Sequence, residues 1–308
     1  MAIHPQVRAY LDHVEVNNPL PDNPTLQQFR EDVYGYIQYA GPASDEATIE
    51  NAYYTSPTAD IHAVIWRPKN VKANAPALVY FHGGGWIYSF PLRYSAVLSN
   101  MAAETGFVII AVNYQKAPEH QFPIPFEDCY AGLLWVAKNA QLLGIDPTKI
   151  GVGGDSAGGN LAAAVALKAA ETGDVKLAYQ MLIYPCIDTN FETESYKAHA
   201  EGFGLNATGM EGAWRLYIPE EHWNNKFAVP GRATSFKNVA PAIIAVAEHD
   251  VLRDDGVNYA AALEKGGVPV TFKEYPGMIH GFFQHGAIVD DAYALRTWLS
   301  QSIHKAVN

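Results

Sequence analysis

Six short apolar runs constrain this chain more than any other feature. They span residues 77–81, 107–112, 149–153, 177–184, 242–247 and 270–275, and each is bounded by glycine, proline or polar residues. A strand with one wet face alternates apolar and polar residues. Continuous runs of this length suit strands covered on both faces, as in a parallel sheet. Helix-length stretches separate them: Tyr94–Glu104, Phe126–Leu143, Ala157–Glu171 and Gly256–Lys265, with a last helix expected over Val289–Lys305. Two strand-like segments, Ala47–Thr55 and Asp60–Arg67, come first. The second of these places Ile61, Ala63 and Ile65 on one face. Strand and helix in alternation predict βαβ units, hence an α/β fold with a mostly parallel central sheet flanked by helices.

Two segments stand outside that pattern. Residues 1–45 carry Val7, Tyr10, Leu11 and Val14 at helical spacing, then Pro19-Leu20-Pro21 and Pro24. Residues 186–241 interrupt the alternation and are rich in aromatics: Phe191, Tyr196, Phe203, Trp214, Tyr217, Trp223 and Phe227. A structureless loop of that length is improbable in a compact domain, so a helical insertion is expected, packed on the sheet's ligand-bearing edge beside the N-terminal segment. The plainer use of its aromatics is to form the insertion's own core.

Composition narrows the partners. The 308 residues include 21 basic and 32 acidic side chains, a formal net charge of −11, with no basic cluster. Such a surface repels nucleic acid and anionic membrane, which leaves a small molecule as the expected partner. A homodimer stays open. The two cysteines, Cys129 and Cys186, suit neither a disulfide scaffold nor a structural zinc site and are expected as reduced, buried thiols. No signal-like start and no apolar stretch of membrane-spanning length is present, so a cytoplasmic protein is expected.

Two motifs carry chemistry. Gly154-Asp155-Ser156-Ala157-Gly158 is a G-x-S-x-G pentapeptide lying between an expected strand and an expected helix, the context of a nucleophile elbow. Glycines two before and two after Ser156 relieve crowding in the turn, and the helix N-terminus favours negative charge beside the hydroxyl. A phosphate loop is the alternative, but no Lys follows the glycines as a Walker A motif requires. His82-Gly83-Gly84-Gly85-Trp86 follows the first core strand. Its bare N–H groups suit an oxyanion hole, with Gly84, Gly85 and Ala157 as the expected donors. His82 is expected to support the loop rather than act as base.

An activated serine needs a base and an acid to orient it. In this strand–elbow–helix class the order is Ser, acid, His. Asp250 at the end of the fifth run and His280 just past the sixth both fall at strand C-termini, on the edge that carries Ser156. Competing acids are Asp254 and Asp255, which read as first-turn helix residues suited to the dipole. Competing bases are His249 and His285. Trp86, Tyr88 and Tyr184 are candidate pocket residues, with core packing as the alternative.

With these residues in view, the chain resembles an α/β-hydrolase of the hormone-sensitive-lipase-like carboxylesterase family over roughly residues 60–300. The resemblance rests on His82-Gly83-Gly84-Gly85-Trp86, Gly154-Asp155-Ser156-Ala157-Gly158-Gly159-Asn160, Asp250-Val251-Leu252-Arg253-Asp254 and His280-Gly281-Phe282. It implies an α/β-hydrolase fold with a helical cap: residues 1–45 as an N-terminal cap segment, 46–185 and 242–308 as the catalytic domain, and 186–241 as a cap insertion. It also implies hydrolysis of short- to medium-chain carboxylic esters. The chain departs from the family pattern at Tyr114-Gln115-Lys116-Ala117-Pro118-Glu119, where Tyr-Arg-Leu-Ala-Pro-Glu is common, and at Val251, often Pro. The expected activity is a serine carboxylesterase that uses Ser156, His280 and Asp250, with no metal or organic cofactor. An amidase or peptidase on the same triad is the alternative enzyme. A non-catalytic ligand receptor is disfavoured because all three triad residues are present.

Overall fold

The computed structural model describes residues 2–17 and 25–308. Pro19-Leu20-Pro21 and Pro24 lie outside the described residues. One eight-stranded sheet is built from β1 (Ala47–Thr55), β2 (Asp60–Pro68), β3 (Ala75–Phe81), β4 (Val108–Val112), β5 (Ile145–Asp155), β6 (Gln180–Ile183), β7 (Ala242–His249) and β8 (Val270–Ile279). Its order is β1-β2-β4-β3-β5-β6-β7-β8. β2 runs antiparallel to both its neighbours, β1 and β4, and every other neighbouring pair is parallel. The helices are α1 (Pro5–Asn17), α2 (Leu26–Asp32), α3 (Ser95–Thr105), α4 (Ile124–Lys138), α5 (Ala140–Leu143), α6 (Ala157–Thr172), α7 (Glu194–Ala198), α8 (Ala207–Tyr217), α9 (Arg253–Lys265) and α10 (Asp290–Ala306).

The apolar runs are the sheet's core, as their pattern predicts. In β3, Ala75, Ala77, Val79 and Phe81 join one buried cluster, while Leu78 and Tyr80 join the other. β4 divides in the same way, with Val108, Ile110 and Val112 against Ile109 and Ala111. A period of two on a strand sends neighbours to opposite faces, so both faces need helical cover. Phe126, Leu133 and Val136 of α4, most of α6, and Tyr259 and Leu263 of α9 cover one face. Leu98 and Met101 of α3 and Leu295, Leu299 and Ile303 of α10 cover the other.

Several elements differ from expectation, among them β6, which starts at Gln180, and α9, which starts at Arg253. The run 270–275 is not buried on both faces: β8 is the sheet edge, paired with β7 alone among the described residues, and Phe272 is 40 % exposed. The expected helix Phe126–Leu143 breaks at Asn139 into α4 and α5, since Asn139 leaves helical geometry and its side chain bonds back to the Trp135 carbonyl. β5 starts at Ile145 rather than Lys149, because Ala75 of β3 pairs with Ile145 across a register shift.

The order of strands places the site. From β3 the chain steps outward to β4, then returns across β3 to β5 and proceeds the other way. That reversal is the switch point at which open α/β sheets leave a crevice beyond the strand C-termini. Phe81 and Gly154 are paired across it, so the loops after β3 and β5 begin side by side. The 186–241 segment, between β6 and β7, contains α7, α8 and 3₁₀ turns at Glu220–His222 and Pro230–Arg232. Its Tyr196, Met210, Trp214, Tyr217 and Ile218 are continuous with the α6-side core rather than forming a core of their own. Among the described residues no helix is long and apolar enough to cross a membrane.

Candidate active site

Ser156 sits between β5 and α6 with φ 55° and ψ −122°, a strained conformation for a non-glycine residue. The turn closes because its flanking glycines have no side chains. A Cβ on Gly158 would overlap the Phe81 carbonyl, and one on Gly154 would overlap both that carbonyl and the Gly158 backbone. The elbow therefore packs directly on the end of β3, where the His82–Trp86 loop starts.

The three residues expected to form a triad are brought together. His280 Nε2 lies 2.9 Å from Ser156 Oγ, and His280 Nδ1 lies 2.7 Å from Asp250 Oδ2. Asp250 directly follows β7 and His280 directly follows β8. The second Asp250 oxygen accepts from the Leu252 N–H at 3.0 Å. Ser156 is 7 % exposed and Asp250 1 %, so the line is largely shielded from bulk water. Tyr184 flanks His280 with ring centroids 4.7 Å apart. Among the described residues, the Gly84, Gly85 and Ala157 N–H groups make no hydrogen bond. They are free donors on the loop after β3 and at the start of α6, two segments that begin beside the Phe81–Gly154 pair.

The competing residues are placed elsewhere. His249 stacks on Phe203 at 5.1 Å and meets His199 edge-on at 5.2 Å. His285 lies under Tyr10 at 4.1 Å, and burial, with Arg93 and His280 nearby, pushes its pKa down to about 3. His82 stacks on Tyr114 at 4.4 Å, and its Nδ1 lies 2.7 Å from the Gly83 carbonyl oxygen. Burial holds its pKa far below the usual imidazole range, so it supports the loop as a neutral ring. Asp254 and Asp255 do begin α9, but their carboxylates are tied to the 186–241 segment rather than capping their own helix. Asp254 accepts from the Ser195 N–H at 2.9 Å; Asp255 Oδ2 accepts from Ile187 and Asp188 N–H at 2.7 and 3.0 Å.

Of the candidate pocket residues, only Tyr184 touches a triad side chain. Trp86 is fully buried, stacked on Tyr217 of α8 at 4.4 Å and tilted against Trp214 at 4.5 Å. Tyr88 meets Phe29 of α2 edge-on at 4.6 Å. Both pack the oxyanion loop against the two segments outside the sheet pattern. The departures from the family pattern are absorbed locally. Gln115 donates its backbone N–H to Asp128 Oδ2 at 2.9 Å, and Lys116 Nζ donates to Asn113 Oδ1 and the Tyr114 carbonyl at 2.9 and 2.6 Å.

Motif reading missed Asp155. It is 3 % exposed and accepts from Tyr80 Oη at 2.7 Å, the Gly83 N–H at 2.8 Å and Tyr94 Oη at 3.0 Å. Burial raises its pKa, and those three donors oppose the rise. The residue beside Ser156 thus holds the first glycine of the His82–Trp86 loop. Its polarity at the end of a buried strand was the available signal. Cys186 was read only as a buried thiol; its Sγ lies 3.8 Å from Ser156 Oγ and 3.9 Å from Met210 Sδ of α8.

Asp255 supports a prediction. Burial pushes its pKa up to about 8. The folded protein then holds a proton between about pH 4 and 8 that the unfolded chain has released, so this group's stabilisation is lost as pH rises through that window. Asparagine carries no such dependence. The stability of Asp255→Asn relative to the parent should rise with pH by about 1.4 kcal/mol per unit across the window. Denaturant unfolding at pH 5 and pH 7.5 measures it; a pH-independent difference would contradict a raised pKa.

The comparisons agree with this geometry. Residues 78–284 match the family model described as alpha/beta hydrolase fold. A carboxylesterase of Mycobacterium tuberculosis, NlhH, is 35% identical over 238 residues, covering 76% of this chain and 74% of that protein. An ethyl acetate hydrolase of Pseudomonas putida is 31% identical over 309 residues, covering 95% of each. The crystal structure of a thermostable esterase from Pseudomonas putida superposes with a TM-score of 0.94 at 30% identity, covering 100% of this chain and 98% of that one. The chain belongs to the α/β-hydrolase family, within its hormone-sensitive-lipase-like carboxylesterase group.

Proposed function

We propose that the protein is a serine carboxylesterase working through an acyl-enzyme. The observation that carries the reading is the line Ser156 Oγ–His280 Nε2–Asp250 Oδ2, at 2.9 and 2.7 Å, set beside free N–H groups. Ser156 attacks the ester carbonyl as His280 takes its proton. Asp250 holds the imidazole with Nδ1 protonated and stabilises the imidazolium. The developing oxyanion accepts from Gly84, Gly85 and Ala157 N–H groups. His280 then protonates the leaving alcohol, and water repeats the sequence on the acyl-Ser156 ester. Every group the cycle uses is a side chain or backbone amide of this chain, so no cofactor is assigned to it. Residues 1–45 and 186–241 act as the cap over this edge, and two buried, unpaired cysteines suit work in the cytoplasm.

The preferred esters are of short to medium acyl chain. A closed site has finite depth, and each buried CH₂ adds about 0.8 kcal/mol only while room remains. Cys186 Sγ lies 3.8 Å from Ser156 Oγ, and Met210 Sδ lies 3.9 Å from that sulfur. With p-nitrophenyl esters from C2 to C12, kcat/KM should climb to an optimum at about C2–C6 and then fall. A continued rise to C12, with activation by emulsified triglyceride, would replace this reading with a lipase. Hydrolysis of matched anilides at rates near those of the esters would favour the amidase.

A further inference from the structure

Gly84, Gly85, Trp86 and Ser89 all have positive φ, at 116°, 58°, 62° and 81°. For the glycines this costs little. For Trp86 and Ser89 it persists only where neighbours impose it. Asp155 holds one end of the loop through the Gly83 N–H. The Ala117 N–H donates to the Trp86 carbonyl at 3.0 Å in its middle. A third tie comes from outside the sheet. Arg30 of α2 donates from Nε to the Ile87 carbonyl at 3.0 Å. Ile87 and Tyr88 themselves donate to the Gly84 carbonyl at 3.0 and 3.1 Å, so Arg30 grips the turn that presents the Gly84 and Gly85 N–H groups.

The rest of the guanidinium is committed as well. Nη2 donates to the Ala117 carbonyl at 3.1 Å, and Nη1 and Nη2 donate to the two Glu119 oxygens at 2.8 and 2.7 Å. One planar fork thus joins the loops 84–89 and 114–119 to the N-terminal segment. A partly exposed ion pair alone contributes little. Two carbonyl acceptors, one on the 84–89 loop and one on the 114–119 loop bonded to it, set this one apart. Arg30 adds polar ties to a helix whose apolar contacts are the half-buried Leu26, against the core, and Phe29, against Tyr88.

We propose that Arg30 is a positioning residue for ester hydrolysis, acting through the Ile87 carbonyl to hold the Gly84–Tyr88 turn with its N–H groups facing the oxyanion. The N-terminal segment then belongs to the reaction machinery rather than only covering it. This rests on the Ser156 reading above.

The test uses Arg30→Ala and Arg30→Lys in the full chain. Each is assayed with p-nitrophenyl acetate, titrated with a trifluoromethyl ketone whose hemiketal oxygen needs the same donors, and normalised by a p-nitrophenyl phosphonate burst that counts competent sites. Arg30→Ala should lower kcat per competent site by about tenfold, keep KM within about twofold, and weaken the ketone in proportion to kcat. Lysine keeps the charge beside Glu119 but lacks the fork that reaches both carbonyls, so Arg30→Lys should lose nearly as much. Unchanged kcat and ketone affinity, a rise in KM alone, or a loss accounted for by fewer competent sites would each overturn the proposal. Absence of both burst and turnover in the unsubstituted protein would instead overturn the Ser156 reading.

Discussion

Ser156→Ala should lower turnover of a p-nitrophenyl ester by on the order of 10⁴ or more while the fold is retained. The substitution removes one hydroxyl that is hydrogen-bonded to His280 and leaves the Cβ in place. The strained backbone at φ 55° is therefore the same in both proteins. The expected stability change is small, within about 1 kcal/mol, because no cavity, charge or cap is created. The oxyanion donors and the bound ester remain, so residual catalysis above water is expected. Turnover per mole and melting temperature, measured together, separate loss of chemistry from loss of fold. Retention of most activity, or persistence of phosphonate labelling, would remove Ser156 from the mechanism.

Asp250→Asn is expected to lose turnover by about 10³–10⁴, approaching the change seen when a serine protease's triad aspartate is replaced in the same way. The structure supplies a local reason. One Asp250 oxygen accepts from the Leu252 N–H and the other faces His280 Nδ1. In asparagine the amide oxygen must satisfy Leu252, which turns the NH₂ toward His280. Nδ1 then has to accept, the proton moves to Nε2, and the ring can no longer take the Ser156 proton. Asp254→Asn should keep turnover within about threefold, since its carboxylate bonds the Ser195 N–H and pairs with Arg253. Asp255→Asn should show mainly the pH-dependent stability described above, because its oxygen serves Ile187 and Asp188. If Asp254→Asn or Asp255→Asn abolishes turnover while Asp250→Asn keeps it, the acid is misassigned.

The grouping of Ser156, His280 and Asp250 was legible because its signals are local. Each member follows a strand recognisable from its own apolar run, and parallel strands deliver their C-termini to one edge. Asp250 and His280 therefore needed no knowledge of packing. The elbow glycines were legible for the same reason, since crowding in a tight turn is decided by the turn itself. The edge position of β8 was not. The run 270–275 was read with the central strands, whereas the fold sets β8 at the sheet edge and leaves Phe272 partly exposed. The roles of Asp254 and Asp255 were half legible. Their place in the first turn of α9 followed from the sequence, but the partners that take their carboxylates lie in a segment whose path no periodicity describes.

By itself, then, the amino-acid sequence determined which segments become strands and helices, which serine sits in the elbow, and which acid and base can reach it. These depend on the period of apolar residues, on glycine at crowded turns and on order along the chain. Only the tertiary structure decided how those parts are held. Asp155 answers Gly83 and Tyr94, and Arg30 answers Ile87, Ala117 and Glu119. Asp255 answers Ile187, and Trp86 lies against Trp214 and Tyr217. Almost any buried donor can donate to almost any nearby acceptor. The pairing is chosen by which groups packing leaves unsatisfied within about 3 Å, and that is a property of the assembled fold.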